Sequence, residues 1–169
     1  LASVRMASAF FGRGQFKSEQ VEREGDSFIL QWEFTWGYFQ PLPEDTKPNY
    51  DLPFDVDRRR REKSEVQTMK AQVIVSEKNG VFELEFELDG TDNVPLAIEL
   101  GFRNGGKLTG VEKSTHFENS WLFKEKKATY QFENDLITVE NGQADHEWSA
   151  IRGGLPKPDG ECVYITGFS

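Results

Sequence analysis

Apolar and acidic side chains alternate along residues 81–90, VFELEFELDG. Successive side chains of a strand point to opposite faces of a sheet, so this period of two predicts a half-buried antiparallel strand rather than a helix. The apolar set is expected in the core: Phe82, Leu84, Phe86 and Leu88. The carboxylates on the opposite face are expected in solvent: Glu83, Glu85 and Glu87.

Similar short strands, separated by turn sequences, recur along most of the chain. The predicted strands cover residues 15–22, 27–35, 65–76, 81–89, 96–103, 107–112, 120–123, 128–133, 136–139, 144–151 and 162–167. Turns are predicted at residues 78–80, 89–90, 104–106, 133–135 and 141–142, where Gly or Asn tolerates positive φ. Many short strands at this spacing predict an all-β fold, an antiparallel β-sandwich that is jelly-roll-like.

Residues 40–63 interrupt this pattern. They hold four of the seven prolines, and because proline cannot donate a hydrogen bond to a strand ladder, the segment predicts a long Pro-rich crossover loop. Residues 2–11 predict either a short turn of helix or a lead-in strand. The length of 169 residues fits a single β-sandwich domain over residues 1–169, and the initial Leu1 suggests a fragment of a longer protein.

The net charge of −9 limits the partners of this chain. Nucleic acid needs a cationic surface, so no nucleic-acid partner is predicted, and anionic membrane surfaces are disfavoured. No apolar run approaches the roughly 20 residues that span a bilayer, so no membrane-spanning segment is predicted. The one cysteine, Cys162, allows no intrachain disulfide and is expected as a small buried side chain in a strand.

No catalytic signature stands out in the sequence. His116 and His146 are the two candidate bases, no Gly-x-Ser-x-Gly elbow is present, and Cys162 has no His nearby in sequence, so a Ser or Cys hydrolase is disfavoured. The spaced His and Cys pairs of a zinc site are absent. No cofactor is predicted. A structural calcium ion stays open because Asp89, Asp92 and Asn93 lie on one predicted turn, as do Asn134 and Asp135, and all of them offer oxygen ligands, although ordinary turn chemistry explains the same residues.

Aromatic, histidine and arginine side chains suggest a glycan-binding site. His146, Trp148 and Arg152 share strand parity, and Arg103 precedes a glycine-containing turn. A flat aromatic ring can stack on a sugar while cationic donors bind its hydroxyls or carboxylates, so these four residues form the predicted site. In the alternative interpretation, Trp148 is a core residue and Arg152 pairs with a buried glutamate such as Glu99.

Four runs in the second half of the chain resemble the carboxy-terminal β-sandwich region of bacterial heparinase II/III-type polysaccharide lyases. They are ELGFRNGGKLTG (99–110), SWLFKEKKATYQFENDLITVENG (120–142), DHEWSAIRGGLPKPDG (145–160) and VYITGFS (163–169). In that family a helical domain carries much of the catalytic machinery. The resemblance therefore implies an accessory domain, a helical catalytic domain in the same polypeptide, an acidic polysaccharide as ligand, and a periplasmic or extracellular location.

Three functions stay open on the sequence. The first is a non-catalytic accessory domain of a secreted polysaccharide-processing protein with weak acidic-glycan contact. The second is a polysaccharide lyase or glycosidase with its site on a concave sheet. The third is a protein–protein interaction or structural module. An exposed aromatic stripe would favour the accessory domain. A pocket of Tyr, His, Arg and Glu would favour the enzyme, and an exposed apolar patch would favour the interaction module. Catalysis by the isolated chain is not expected.

Overall fold

The computed structural model describes residues 2–6, 9–10, 18–43, 46–47, 49–116, 118–147 and 159–169. The chain forms two compact units, Leu1–Gln15 with Asp92–Ser169 and Phe16–Thr91. We call the first the split unit, because it draws on two separate stretches of chain, and the second the hairpin unit. The prediction of a single domain over residues 1–169 stays a prediction.

Strands dominate both units, and the all-β prediction is confirmed. The named strands pair antiparallel, except for one parallel pair described below. The sheets are consistent with a β-sandwich. Jelly-roll connectivity stays a prediction. In chain order the elements are β1 (Ala2–Met6), β2 (Ala9–Phe10), β3 (Ser18–Glu24), β4 (Ser27–Phe39), α1 (Phe54–Arg58), β5 (Lys63–Lys78), β6 (Val81–Gly90), β7 (Pro95–Phe102), β8 (Lys107–Thr109), β9 (Val111–Lys113), β10 (Ser120–Phe123), β11 (Lys127–Phe132), β12 (Asp135–Glu140) and β13 (Glu161–Phe168).

The hairpin unit is one antiparallel sheet in which β3, β4, β5 and β6 lie side by side in chain order. Tight turns join the outer strands to the inner ones. The φ angles of Asn79 and Gly80 are 55° and 79°, and Asn and Gly are the residues that adopt this region at least cost. The predicted turn at residues 78–80 is therefore confirmed.

Residues 40–62 connect β4 to β5 and contain the short helix α1. The amide of Gln40 donates a hydrogen bond of 2.7 Å to the carbonyl of Glu62, which closes the base of this connection. Inside it, the carboxylate of Asp57 accepts a hydrogen bond from the amide of Asn49 and pairs with Arg60 at 2.7 Å. The Asn49 amide first, and then Arg60, hold the pKa of Asp57 below its ordinary value, against the opposing effect of burial.

The apolar side chains of β6 share one face of the sheet, but that face is only partly covered. Phe82 is 67% exposed and Leu84 is 44% exposed, while Phe86 and Leu88 are half-buried. The prediction that these four residues lie in the core is wrong for Phe82 and Leu84. Alternation sets the face on which a side chain lies, but another layer must cover that face before its residues are buried. The intervening glutamates are exposed, as predicted: Glu83, Glu85 and Glu87.

The split unit contains a six-stranded sheet, β2-β1-β7-β13-β10-β9, and a three-stranded sheet, β12-β11-β8. Strand β13 pairs antiparallel with β7 and parallel with β10. Phe123, Ala128 and Val163 form a buried cluster, and half-buried neighbours that include Leu100 pack against it. Cys162 is buried in β13, as predicted.

Several predicted boundaries differ from the structure. The predicted strand 107–112 breaks at Gly110, where φ is 74° and an added Cβ would lie 2.1 Å from the carbonyl oxygen of Lys127. The two halves, β8 and β9, consequently belong to different sheets. The turn predicted at residues 89–90 is wrong, because both residues belong to β6. Ala2–Met6 and Ala9–Phe10 form β1 and β2, so the strand alternative holds for these residues. In the predicted strand 144–151, Ala144 forms a single bridge to Thr166, and residues 148–151 lie outside the described residues.

Candidate functional site

Four exposed apolar side chains cluster at the turn end of the hairpin sheet. Strand register places Phe28 and Leu84 on either side of Val75 and places Val21 beside Leu30 one step further along. Val21 is 64% exposed and Phe28 is 48% exposed, and Phe82 and Leu84 on β6 are exposed as well. We call these four residues, Val21, Phe28, Phe82 and Leu84, the tip patch. Further from the turns the same face is closed: Phe34, Met69, Ala71 and Val73 are buried.

Two opposite charges flank the tip patch on the same face. Arg23 lies directly opposite Phe28 in the register, and its guanidinium carbon is 5.9 Å from the centroid of the Phe28 ring. Glu77 lies opposite Phe82, and its carboxylate accepts a hydrogen bond from the amide of Gly80 at 2.5 Å. The apolar surface is therefore bordered by one cation and one anion, each on a different strand.

The opposite face of the hairpin sheet carries mostly polar side chains, with Ile29 and Ile74 paired among them. Gln20, Gln31, Gln72 and Glu87 are register partners from one strand to the next, so they form one row across β3, β4, β5 and β6. We call this set the amide row. The side-chain amide of Gln31 donates to the side-chain oxygen of Gln72 over 2.6 Å, and Gln20 donates to Glu22 on its own strand. This row follows from alternation, because Leu30 and Trp32 on either side of Gln31 belong to the apolar face.

The amide row crosses a shallow depression of about 620 Å³. A second row, made by Glu33, Lys70 and Asp89, borders it and lines the same depression. The side chains of both rows are exposed, apart from the half-buried Gln72. The lining thus combines three carboxylates, one ammonium group and three amides with Trp32 and Ala71, and each amide both donates and accepts hydrogen bonds. Such a surface can bind hydroxyl groups and repels anions.

Arg103 and His146, the two described members of the predicted glycan-binding site, both lie in the split unit. The guanidinium of exposed Arg103 lies 3.6 Å from the centroid of the Phe132 ring. Nε2 of His146 lies 3.1 Å from the carbonyl oxygen of Leu96 and 2.9 Å from that of Gly167. Both neighbours of Nε2 are acceptors, so this nitrogen carries a hydrogen and serves the structure as a donor.

The structure places these two residues at opposite ends of β7. Arg103 follows Phe102, the last residue of the strand, whereas His146 contacts Leu96 near its beginning. At about 3.3 Å per residue the two ends are about 20 Å apart. One sugar ring cannot contact both, so only an extended ligand could join them. Trp148 and Arg152 lie outside the described residues, and the four-residue site stays a prediction.

A cluster of Arg5, Glu99 and Tyr164 comes nearest to the catalytic pocket that the enzyme hypothesis requires. Nε of Arg5 donates to Glu99 over 2.9 Å, and the hydroxyl of Tyr164 donates to the same carboxylate oxygen. Arg5 is only 1% exposed and Tyr164 is buried as well, so the cluster presents almost no surface to a substrate. The hydrogen bonds of the cluster link the strands β1, β7 and β13.

Sequence reasoning named Glu99 as a buried glutamate but did not find Arg5. The two residues are 94 positions apart, and no local pattern links them. The signal that could have found Arg5 is its place among Val4 and Met6, in a segment that then forms a buried strand. A cation at such a position requires a carboxylate partner.

Glu147 is a second carboxylate with several hydrogen-bond donors. It accepts hydrogen bonds of 2.6 Å from the hydroxyl of Ser114 and 2.6 Å from the amide of Thr115, and a longer one from the Thr115 hydroxyl. Burial acts to raise the pKa of Glu147, but these bonds, with the nearby His116, favour the carboxylate and hold its pKa below the ordinary value. These hydrogen bonds therefore link the segment around Glu147 to Ser114 and Thr115, which follow β9.

Within the described ranges, no group of three or more His, Cys, Asp or Glu side chains is placed to hold a metal ion. Residues 89–93 and 134–135, which the sequence offered to calcium, belong to those ranges. Over the same part of the chain no helix has the length and apolar character needed to cross a bilayer.

Comparison with protein-family models, with curated proteins and with solved structures found no match. The resemblance to heparinase-type β-sandwich regions therefore stays a prediction.

Proposed function

We propose that this chain is a non-catalytic protein–protein interaction module that associates with a second copy of itself through the tip patch. The observation that supports the proposal is the exposure of four neighbouring apolar side chains on one face of the hairpin sheet. Contiguous apolar surfaces of this kind mark interaction sites, whereas isolated exposed apolar residues need no explanation. A role as accessory domain of a secreted polysaccharide-processing protein is compatible with this function and is proposed with it.

The size of the patch suits a weak homodimer. An aromatic side chain offers on the order of 200 Å² of surface, so the tip patch exposes about 400 Å² in all. Two copies packed face to face would bury about 800 Å², and the half-buried Leu30, Val75 and Phe86 raise this toward the ~1,000 Å² that is the lower limit for a biological interface. We therefore expect a dissociation constant on the order of 10–100 µM.

The flanking charges favour a second copy as the occupant. A two-fold axis parallel to the strands places β3 of one copy over β6 of the other and keeps the two tips side by side. Arg23, on β3, then lies near Glu77 of the other copy, and the symmetry makes this opposite-charge contact twice. Such contacts at the rim of an interface add specificity and register more than affinity.

The charges on the two edge strands disfavour association of two copies by edge-to-edge strand pairing. Glu22 and Glu24 lie on the outer strand β3, and Glu83, Glu85 and Glu87 lie on the outer strand β6. Edge-to-edge pairing of two copies would bring carboxylates together, and charged edge strands are a common protection against such pairing. Association through the apolar face avoids this repulsion.

Sedimentation equilibrium over a concentration series tests the proposal. The weight-average mass of the wild-type chain should rise from 19.4 kDa toward twice that value as the concentration passes through the expected range. Phe82→Glu places a charge on the most exposed ring of the tip patch and should weaken association at least about 30-fold, as expected for an aromatic anchor residue. Because Phe82 is 67% exposed, this substitution should leave the far-ultraviolet circular dichroism spectrum unchanged.

Leu136→Glu is the matched control, since Leu136 is 64% exposed on β12 in the split unit. It should dimerise like the wild type. Arg23→Glu should weaken the dimer up to about fivefold, and Arg23→Glu combined with Glu77→Arg should restore it. A wild-type chain that stays monomeric up to about 1 mM, or a dimer that Leu136→Glu disrupts and Phe82→Glu does not, would overturn the proposal.

A further inference from the structure

The amide row is unusual because it is continuous across the whole hairpin sheet. Three of the eight glutamines of the chain occupy successive register positions on β3, β4 and β5, and Glu87 continues the row on β6. The row is three strand spacings long, about 14 Å. It lies within the depression of about 620 Å³, a volume in the range of small-molecule sites.

The chemistry of the row fits hydroxyl groups. Each side-chain amide offers two donor hydrogens and one acceptor oxygen, so neighbouring amides can bind neighbouring hydroxyls in either direction. The one described bond within the row, from Gln31 to Gln72, uses one donor of Gln31 and one acceptor of Gln72. Both side chains line the depression, and this bond leaves one donor hydrogen and the oxygen of Gln31 and both donor hydrogens of Gln72 for a ligand.

We infer that the amide row binds a neutral oligosaccharide lying across the strands. The length of the row corresponds to a chain of a few sugar rings rather than to a single sugar. Lys70 and the carboxylates of Glu33 and Asp89 extend the hydrogen-bonding surface along one side of the row. Exposed polar groups of this type exchange water for ligand, so each bond adds little and the affinity is modest.

Charge distinguishes this ligand from the acidic polysaccharide expected from the sequence. Three carboxylates and one ammonium group line the depression, so a uronate or a sulfate would meet like charge at a distance of a few ångströms. Arg103, the described arginine of the predicted glycan-binding site, belongs to the split unit and is not among the residues that line the depression. The inference therefore concerns a different site and a different ligand class.

The inference stands apart from the proposed self-association, because the amide row and the tip patch lie on opposite faces of the same sheet. If both hold, a face-to-face dimer carries its two amide rows on its outer surfaces. Two weak sites in one particle would bind a polysaccharide with higher avidity than either site alone.

Titration of the full chain, isotopically labelled, with neutral tetrasaccharides tests the site by nuclear magnetic resonance. The probes are cellotetraose, maltotetraose and mannotetraose, with tetragalacturonate as the acidic counterpart. Side-chain amide signals of Gln20, Gln31 and Gln72 should shift with at least one neutral probe, with a dissociation constant of about 1 mM. Tetragalacturonate should not shift them.

Gln31→Ala and Gln72→Ala should each weaken binding about fivefold, the effect of losing a typical hydrogen bond. Gln131→Ala, which removes an exposed glutamine from β11 in the split unit, is the matched control and should bind like the wild type. The same titration of monomeric Phe82→Glu should give the wild-type affinity per site, so failure of self-association and failure of this site are separate results. Absence of shifts with all neutral probes at about 20 mM, binding that both glutamine variants retain, or shifts confined to Arg103 and His146 would each overturn the inference.

Discussion

Strands β6 and β13 are similar in length and composition of apolar residues, yet they differ in burial. Strand β13 holds Cys162, Val163 and Tyr164 in succession, and all three are buried, so both faces of this strand are covered. Strand β6 alternates strictly between apolar and acidic residues from Phe82 to Asp89, and its first five residues are all exposed. The strand with the more regular pattern is therefore the less buried one.

The difference shows what alternation measures. A period of two identifies a strand with two chemically distinct faces, and β6 has them. A consecutive apolar run such as the one in β13 identifies a strand between two covered faces. An alternating strand at the turn end of a single sheet can keep its apolar face open, and an open apolar face is the feature on which the proposed self-association depends.

The largest expected effect comes from making the same substitution in both units. Phe123→Ala removes a ring that is 5% exposed within a buried cluster and should lower the free energy of unfolding by about 3–5 kcal/mol. Phe82→Ala removes a ring that is mostly in water already and should cost less than about 1 kcal/mol. Urea denaturation at a protein concentration below about 5 µM, where the chain is monomeric, measures both. Similar losses at the two positions would contradict the assignment of core and open face.

Glycines provide a second, smaller contrast between the units. Gly110 and Gly80 have nearly the same φ, 74° and 79°. An alanine at either position would have to adopt the left-handed region, which lowers the free energy of unfolding by about 1–2 kcal/mol. At Gly110 the new Cβ would also meet the backbone carbonyl of Lys127, whereas at Gly80 nothing lies within 4 Å. We expect Gly110→Ala to cost about 3 kcal/mol in all, clearly more than Gly80→Ala. Equal shifts of the urea midpoint would show that the junction of β8 and β9 relaxes freely.

The smallest expected effect is a dependence of stability on pH. The pKa of Glu147 is lowered in the folded chain, so its contribution is fully present above the ordinary glutamate pKa of about 4.3 and is lost as the pH falls through the lower folded value. Glu147→Gln should therefore reduce stability at pH 7 and lose less stability than the wild type between about pH 5 and pH 3. Glu85→Gln, on the open strand β6, is the control. If urea midpoints of Glu147→Gln follow the wild type at every pH, the bonds from Ser114 and Thr115 contribute nothing measurable.

Much of the secondary structure could be predicted because each strand carries its own local pattern. The boundaries of β10 were predicted to the residue, and those of β6 to within one. The break at Gly110 was missed, because a strand that changes sheets looks continuous in sequence. Helix α1 was missed as well, since the five residues that follow Pro53 carry too short a pattern to show a helical period.

The candidate sites were less predictable. Arg103 and His146 were chosen for their chemistry, and the structure separates them by the length of β7. The amide row was invisible in sequence, because Gln20, Gln31 and Gln72 become neighbours only through the register of three strands. Register depends on turn geometry and on pairing between distant segments, so a list of glutamines does not reveal it.

The sequence by itself determined that this protein is built from strands and which side chains share a face, because the direction of a side chain along a strand follows from the backbone with a period of two. Only the tertiary structure decided which faces are covered. Val163 is buried and Phe82 is exposed, although both are apolar residues in well-predicted strands. Burial depends on which other segments of chain pack against a face, and the pairing of Arg5 with Glu99 across 94 positions shows how far apart in sequence such segments lie.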